Sequence, residues 1–156
     1  MNHTLHGRPL LRQLANGYNA VRGADSIIHT PKPVDTDFSR KVADYYVSAQ
    51  GQEREPIVQR AYKALNTEVQ RQFAYLSAFG YRMYTVDNPA FYAGVEEMTY
   101  DVKDGMLHVW AGGTPEHGLM TQAENMRFRF VHDIFGHVMT GAGFGHEGEE
   151  IAYRCH

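Results

Sequence analysis

Apolar positions between residues 55 and 79 recur every three or four places, at Ile57, Ala61, Ala64 and Leu65, Val69, Phe73 and Leu76. That is the period of a helix burying one face. Pro56 suits its first turn and Gly80 closes it. A shorter helix is predicted from about Asp35 to Gln50, with Asp35 or Thr36 as N-cap and Gly51 as its stop. After Gly80 the period changes. YRMYTVD and EEMTYDV-KDG-MLHVWA are rich in β-branched and aromatic residues, and Asp104-Gly105 lies between two such runs. This predicts an antiparallel β-hairpin. From about Leu119 to Val138 the pattern is helical again and apolar on most sides, with Met126, Phe128, Phe130, Val131, Ile134, Phe135 and Val138, so a buried central helix is expected. TGAGFGHEG is a glycine-rich connection, and a last helix begins near Glu147.

Residues 1–33, punctuated by Gly7, Pro9, Gly17, Gly23, Pro31 and Pro33, read as an irregular arm. The expectation is an α+β fold: one mainly helical domain over 34–156 with a small antiparallel sheet. The sequence stops at Arg154-Cys155-His156 in mid-pattern, so either a marginal last helix docks tightly or the natural chain continues.

Composition narrows the function classes. The chain is 43% hydrophobic and 21% charged with a net charge of -3, which gives no electrostatic reason to expect nucleic acid or an anionic membrane as partner. The single cysteine, Cys155, excludes an intrachain disulfide framework and a cysteine-rich zinc site. No apolar run spans a bilayer and no signal peptide is evident, so a cytoplasmic protein acting on a small molecule is expected. Histidine is the anomaly: of nine, six (His108, His117, His132, His137, His146, His156) lie between 108 and 156. Imidazole titrates near neutrality and ligates transition metals.

The candidate chemistry sits in FVHDIFGHV and GFGHEGEEIAY. His132, Asp133 and His137 interrupt an apolar helix, where a charge is costly unless paired or metal-bound. His132 and His137 are five residues apart, about 140° around a regular α-helix. They meet at one ion only if the helix ends or bulges near Gly136. On the next helix His146, Glu149, Glu150 and Tyr153 share a stripe, with His156 one turn beyond. The expected metal ligands are therefore His132, His137, Glu149, Glu150 and His156, with Asp133 and His146 as catalytic or orienting groups. Two histidines and a carboxylate favour iron or manganese over zinc. The alternatives are hydrogen-bonded core histidines and acids that merely charge a helix start. His108 is expected to face solvent or a neighbouring strand, His117 to cap a helix, Glu124 to be a spare ligand, and Tyr81, Tyr84, Tyr92 and Tyr100 to pack. His3, His6 and His29 carry no argument.

Three resemblances arise at these residues. His132–Val138 resembles the H-[DE]-x-x-G-H iron motif of the aromatic amino acid hydroxylases, which implies His132 and His137 as iron ligands. That family's glutamate comes from further downstream than this chain reaches, so Glu149 or Glu150 would substitute. HD…GH…FGHEGEE is similar to the HD-superfamily dNTP triphosphohydrolases, implying His132 and Asp133 as ligands with His146 and Glu149 acting on phosphate or water; the spacing departs from that pattern. Most of the chain resembles uncharacterised proteins carried by phages and their bacterial hosts, which implies no activity. The leading expectation is a metal-dependent enzyme activating O2 or water. An HD-type phosphohydrolase and a non-enzymatic phage structural or interaction protein are the alternatives.

Overall fold

Helices α1 (Thr4–Arg22), α2 (Thr36–Ser48) and α3 (Pro56–Ala78) lead to strand β1 (Arg82–Val86), helix α4 (Val95–Lys103), strand β2 (Met106–Trp110), and helices α5 (Gln122–His132) and α6 (His146–Cys155). A π-helical turn, Asp133–Val138, continues directly from α5. The computed structural model describes residues 4–24, 35–49, 51–113 and 118–156; His3, His29 and His117 lie outside them.

The mainly helical α+β class is as expected, but two elements differ. The first is the expected irregular arm, where residues 4–22 form α1. Leu11, Leu14, Ala15 and Tyr18 return at helical spacing and are buried. Gly17, read as punctuation, lets α1 approach α3: a Cβ there would stand 3.0 Å from the Tyr75 hydroxyl. Tyr18 donates to Glu68 Oε1 at 2.6 Å, across the same contact.

The second difference is the sheet. Its two strands are parallel, with Arg82 opposite Met106 and Val86 opposite Trp110, not an antiparallel hairpin. Parallel strands need a crossover, and α4 supplies it. The segment read as a strand buries Val95, Met98, Thr99 and Val102, spaced three, one and three apart. That spacing is helical, and it outweighs β-branched composition. Gly105 is still a turn residue (φ 76°), but the turn joins the end of α4 to β2.

Elsewhere local chemistry sets the boundaries as read. Asp35 caps α2, accepting from the Phe38 N–H at 3.0 Å, and Gly80, with φ 96°, follows the last turn of α3. Thr121 and Glu124 form a reciprocal capping box at the start of α5. Glu124 is thereby spent on the cap rather than free as a spare ligand. The core joins α1, α3, α4, β2 and α5, with Leu11, Leu76, Leu107, Phe130, Val131 and Ile134 fully buried. Phe73 meets Phe130 edge-on at 5.2 Å. Among the described residues, no helix is long and apolar enough to cross a membrane.

Helix α2 has no buried residue. Its tie to the body runs through Glu150, whose Oε1 accepts from the Asp35 N–H at 3.1 Å and whose Oε2 accepts from the Ser39 hydroxyl at 2.6 Å. Arg154 donates to the same carboxylate at 2.6 Å and lies over the Phe38 ring. These hydrogen bonds, led by the one from Ser39, hold Glu150 down at about 2. A depressed carboxyl pKa contributes stability above its unfolded value that is lost as pH falls toward the folded value. Hydrogen exchange across residues 36–48 should therefore accelerate as pH drops from about 4.5 to about 2, after correction for intrinsic rates. Glu150→Gln should bring that faster exchange to neutral pH while the core stays protected.

Candidate metal centre

In an α-helix His132 and His137 would diverge. Here the chain leaves α5 through a π-helical turn, whose i→i+5 hydrogen bonding puts residues five apart over one another. The two Nε2 atoms come within 3.1 Å, the rings nearly perpendicular at 84°. The turn includes Gly136, near which the helix had to end or bulge for the two rings to meet. Gly136 also does a second job: a Cβ there would sit 3.0 Å from Ala152 Cβ, so glycine lets α6 lie against the turn. Gly148 does the same one turn earlier on α6, where any Cβ would overlap the Gly143 carbonyl.

That close approach delivers Glu149. Its Oε2 lies 3.5 Å from His132 Nε2 and its Oε1 3.4 Å from His137 Nε2. The three residues form a group able to hold a metal ion. Ligand atoms bound at about 2.1 Å stand about 3.0 Å apart at right angles and about 3.4 Å apart at the tetrahedral angle. The observed separations, 3.1, 3.4 and 3.5 Å, lie within about 0.1 Å of that range. Burial is graded: the His137 side chain is 2% exposed, His132 20% and Glu149 52%.

The supporting contacts fix the lone pairs. His137 Nδ1 lies 3.0 Å from the Ala142 carbonyl. A carbonyl only accepts, so Nδ1 carries the proton and Nε2 presents its lone pair to the group. Thr140 holds that carbonyl in place. Its hydroxyl donates to Gly136 O and accepts from the Ala142 N–H at 3.1 Å. Phe128 stacks on the His132 ring, 5.8 Å away and 14° from parallel. Burial is the main reason the His132 pKa is lowered, with the neighbouring His137 adding to it. Both effects favour the neutral, ligating imidazole.

The triad borders a cavity of about 330 Å³ walled by Phe91, Met98, Trp110 and Phe144, with Tyr92, His108, Arg129 and Asp133 among its polar members. Arg129 is fixed by the Trp110 and Gly112 carbonyls, each at 2.7 Å. Asp133 is pushed up to about 7 by burial first and Glu149 second, with Arg129 opposing.

Of the residues proposed from sequence, His132, His137 and Glu149 converge and the others do not. Glu150 points away to Ser39 and Arg154. His156 lies beside the group, its ring 6.0 Å from His132, but its Nε2 bonds Gln72 Oε1 at 2.9 Å. Burial and His132 push its pKa down to about 4. His146 is exposed in a groove between α2 and α6, outside the cavity. Asp133 lines the cavity but makes no hydrogen bond to either imidazole; the Ala142 carbonyl orients His137 instead. The sequence reading missed Tyr92, His108 and Arg129. The signal for His108 was present: it alternates with buried Leu107 and Val109 on β2, so it shares a face with Trp110.

No protein-family model, curated protein or solved structure matches this chain. The functional reading therefore rests on the chemistry of the group itself.

Gly148→Ala should force α6 off the 143–145 loop at a cost of about 1–3 kcal/mol, read by chemical denaturation. Thr140→Val should leave the fold cooperative while loosening the Ala142 carbonyl. Transition-metal affinity, measured by competition with a chelator, should then fall about tenfold or more.

Proposed function

We propose that the protein is a metal-dependent enzyme in which His132, His137 and Glu149 hold one divalent transition-metal ion, iron or manganese in preference to zinc. The adjoining cavity takes a small-molecule substrate. The observation that carries this reading is the convergence of two imidazole nitrogens and a carboxylate oxygen, each 3.1–3.5 Å from the next. Three electron-rich atoms turned toward one point repel one another unless a cation or protons lie among them. Two histidines and one carboxylate on one face is the donor set of non-haem Fe(II) oxygenases, in keeping with the resemblance of residues 132–138 to a hydroxylase iron motif.

A bound ion supplies Lewis acidity and open positions for O2 or water. The chain does the rest. His137, locked by Ala142, and His132, stacked on Phe128, keep neutral nitrogens aimed at one point. Glu149 adds the negative charge that offsets the ion. Asp133, with its carboxyl raised to about 7, holds or releases a proton at the cavity wall near neutrality. Phe91, Trp110 and Phe144 supply apolar walls for the substrate.

The HD-type phosphohydrolase reading needs Asp133 as a ligand, and Asp133 is not one of the converging residues. A purely structural ion calls for a closed protein sphere. Of the other ligands expected from sequence, Glu150 bonds Ser39 and His156 bonds Gln72 through Nε2, so neither supplies those atoms to the group.

Elemental mass spectrometry of protein reconstituted anaerobically with Fe(II), and separately with Mn(II), tests the proposal. About one ion per chain is expected. His137→Ala and Glu149→Ala should weaken binding roughly a hundredfold or more, whereas Glu150→Gln and His156→Gln keep the stoichiometry. Failure to bind any transition metal, or equal binding by the His132→Ala/His137→Ala double variant, would refute it.

A further inference from the structure

The cavity beside the triad is lined by a second built group. His108 Nδ1 lies 2.9 Å from Asp101 Oδ2, and the same oxygen accepts from the Tyr92 hydroxyl at 2.8 Å. The Tyr92 oxygen in turn accepts the His108 backbone N–H at 2.9 Å. The carboxylate assigns the proton of His108 to Nδ1, which leaves Nε2 as the ring atom available to the cavity. The ring packs against Phe91 (4.5 Å between centroids, 32° between planes) and Tyr84 (5.5 Å, 31°). Such packing restrains the imidazole.

A structural tie needs only one ring nitrogen: Nδ1 joins β2 to Asp101 on α4, and Nε2 takes no part in it. The backbone N–H of His108 already ties β2 to Tyr92, and Tyr92 already ties its loop to Asp101 on α4. The side chain adds an oriented nitrogen to a closed network. Burial pushes the Tyr92 phenol up, so it remains a donor to Asp101. The other charged groups at this cavity, Asp133, Glu149 and Arg129, come from the π turn, α6 and α5.

We propose that His108 is the second catalytic residue of this cavity: Nε2 accepts a proton from a hydroxyl or N–H of a small substrate held between it and the metal triad. The inference rests on the metal-dependent reading for the substrate's position. In the step, the substrate O–H or N–H bond breaks and the Nε2–H bond forms. The electron pair stays on the substrate heteroatom, and the resulting imidazolium is held against Asp101 through Nδ1–H. Asp101 is a positioning residue.

The test uses 4-nitrocatechol, whose visible spectrum reports how many of its hydroxyls are ionised, added anaerobically to Fe(II)-loaded protein. The wild type should bind it with both hydroxyls deprotonated. His108→Gln, checked for native circular dichroism and iron content, should bind it as the monoanion and about tenfold more weakly. The same ionisation in both proteins, a monoanion in the wild type, or no binding to the loaded protein would each overturn the inference. A second measurement needs no variant. In ¹⁵N-histidine-labelled, Zn(II)-loaded wild type, the His108 Nε2 resonance should move from an unprotonated to a protonated shift when the probe is added. An unmoved resonance counts against the proposal. Protein that takes up no metal removes the triad reading first, and this inference with it, whereas loaded protein with an indifferent His108 removes only the latter.

Discussion

The site exists because two backbones come close enough for a carboxylate on one helix to reach two imidazoles on another. Ala152 rests on Gly136, and Gly148 rests on the Gly143 carbonyl. No larger residue fits at either glycine without moving α6. Small residues contribute little apolar burial of their own, so this contact trades stabilising area for proximity. The core offsets that loss on the other side of the same segment, where Phe130, Val131, Ile134 and Val138 are fully buried. The helix that presents the histidines is therefore anchored by its apolar neighbours, and the arriving helix adjusts to it.

The resulting centre is asymmetric. One imidazole is sealed and locked to a backbone carbonyl, the second is stacked on an aromatic ring, and the carboxylate is half open to solvent. A half-exposed carboxylate beside two fixed nitrogens has room to shift without disturbing the core. His108, at the same cavity, is held in a comparable way: Asp101 and Tyr92 both engage its Nδ1.

Much of this was legible from residue order. Spacing alone predicted α3 and the helix carrying Phe130, and the i, i+5 separation of His132 and His137 meant that they could meet only if the helix ended or bulged near Gly136. What escaped was whatever depended on tertiary partners. Gly17 and Pro9 masked α1, because local propensity does not register that a missing side chain can serve helix–helix packing. The Val95–Lys103 segment was judged by residue type, although Val95, Met98 and Val102 already carried helical spacing. Glu149 and Glu150 are adjacent and chemically alike. Which one faces the histidines depends on where α6 lands, and α2 claims Glu150 through Ser39. His108 meets Tyr92 and Asp101 on other segments of the chain, contacts that the alternation of β2 does not announce.

The π turn has a consequence for how the chain tolerates change. The meeting of the two imidazoles is fixed by the count of residues between them, since one extra position per turn is what brings His137 back over His132. Straightening the turn into a regular α-helix with the same number of residues would set the two rings about 140° apart. Only the loss of one intervening residue would bring them back to a common face, at i, i+4. Backbone geometry and residue count therefore have to match: a substitution that removes the π turn without a compensating deletion parts the imidazoles while leaving the apolar surface of the helix in place.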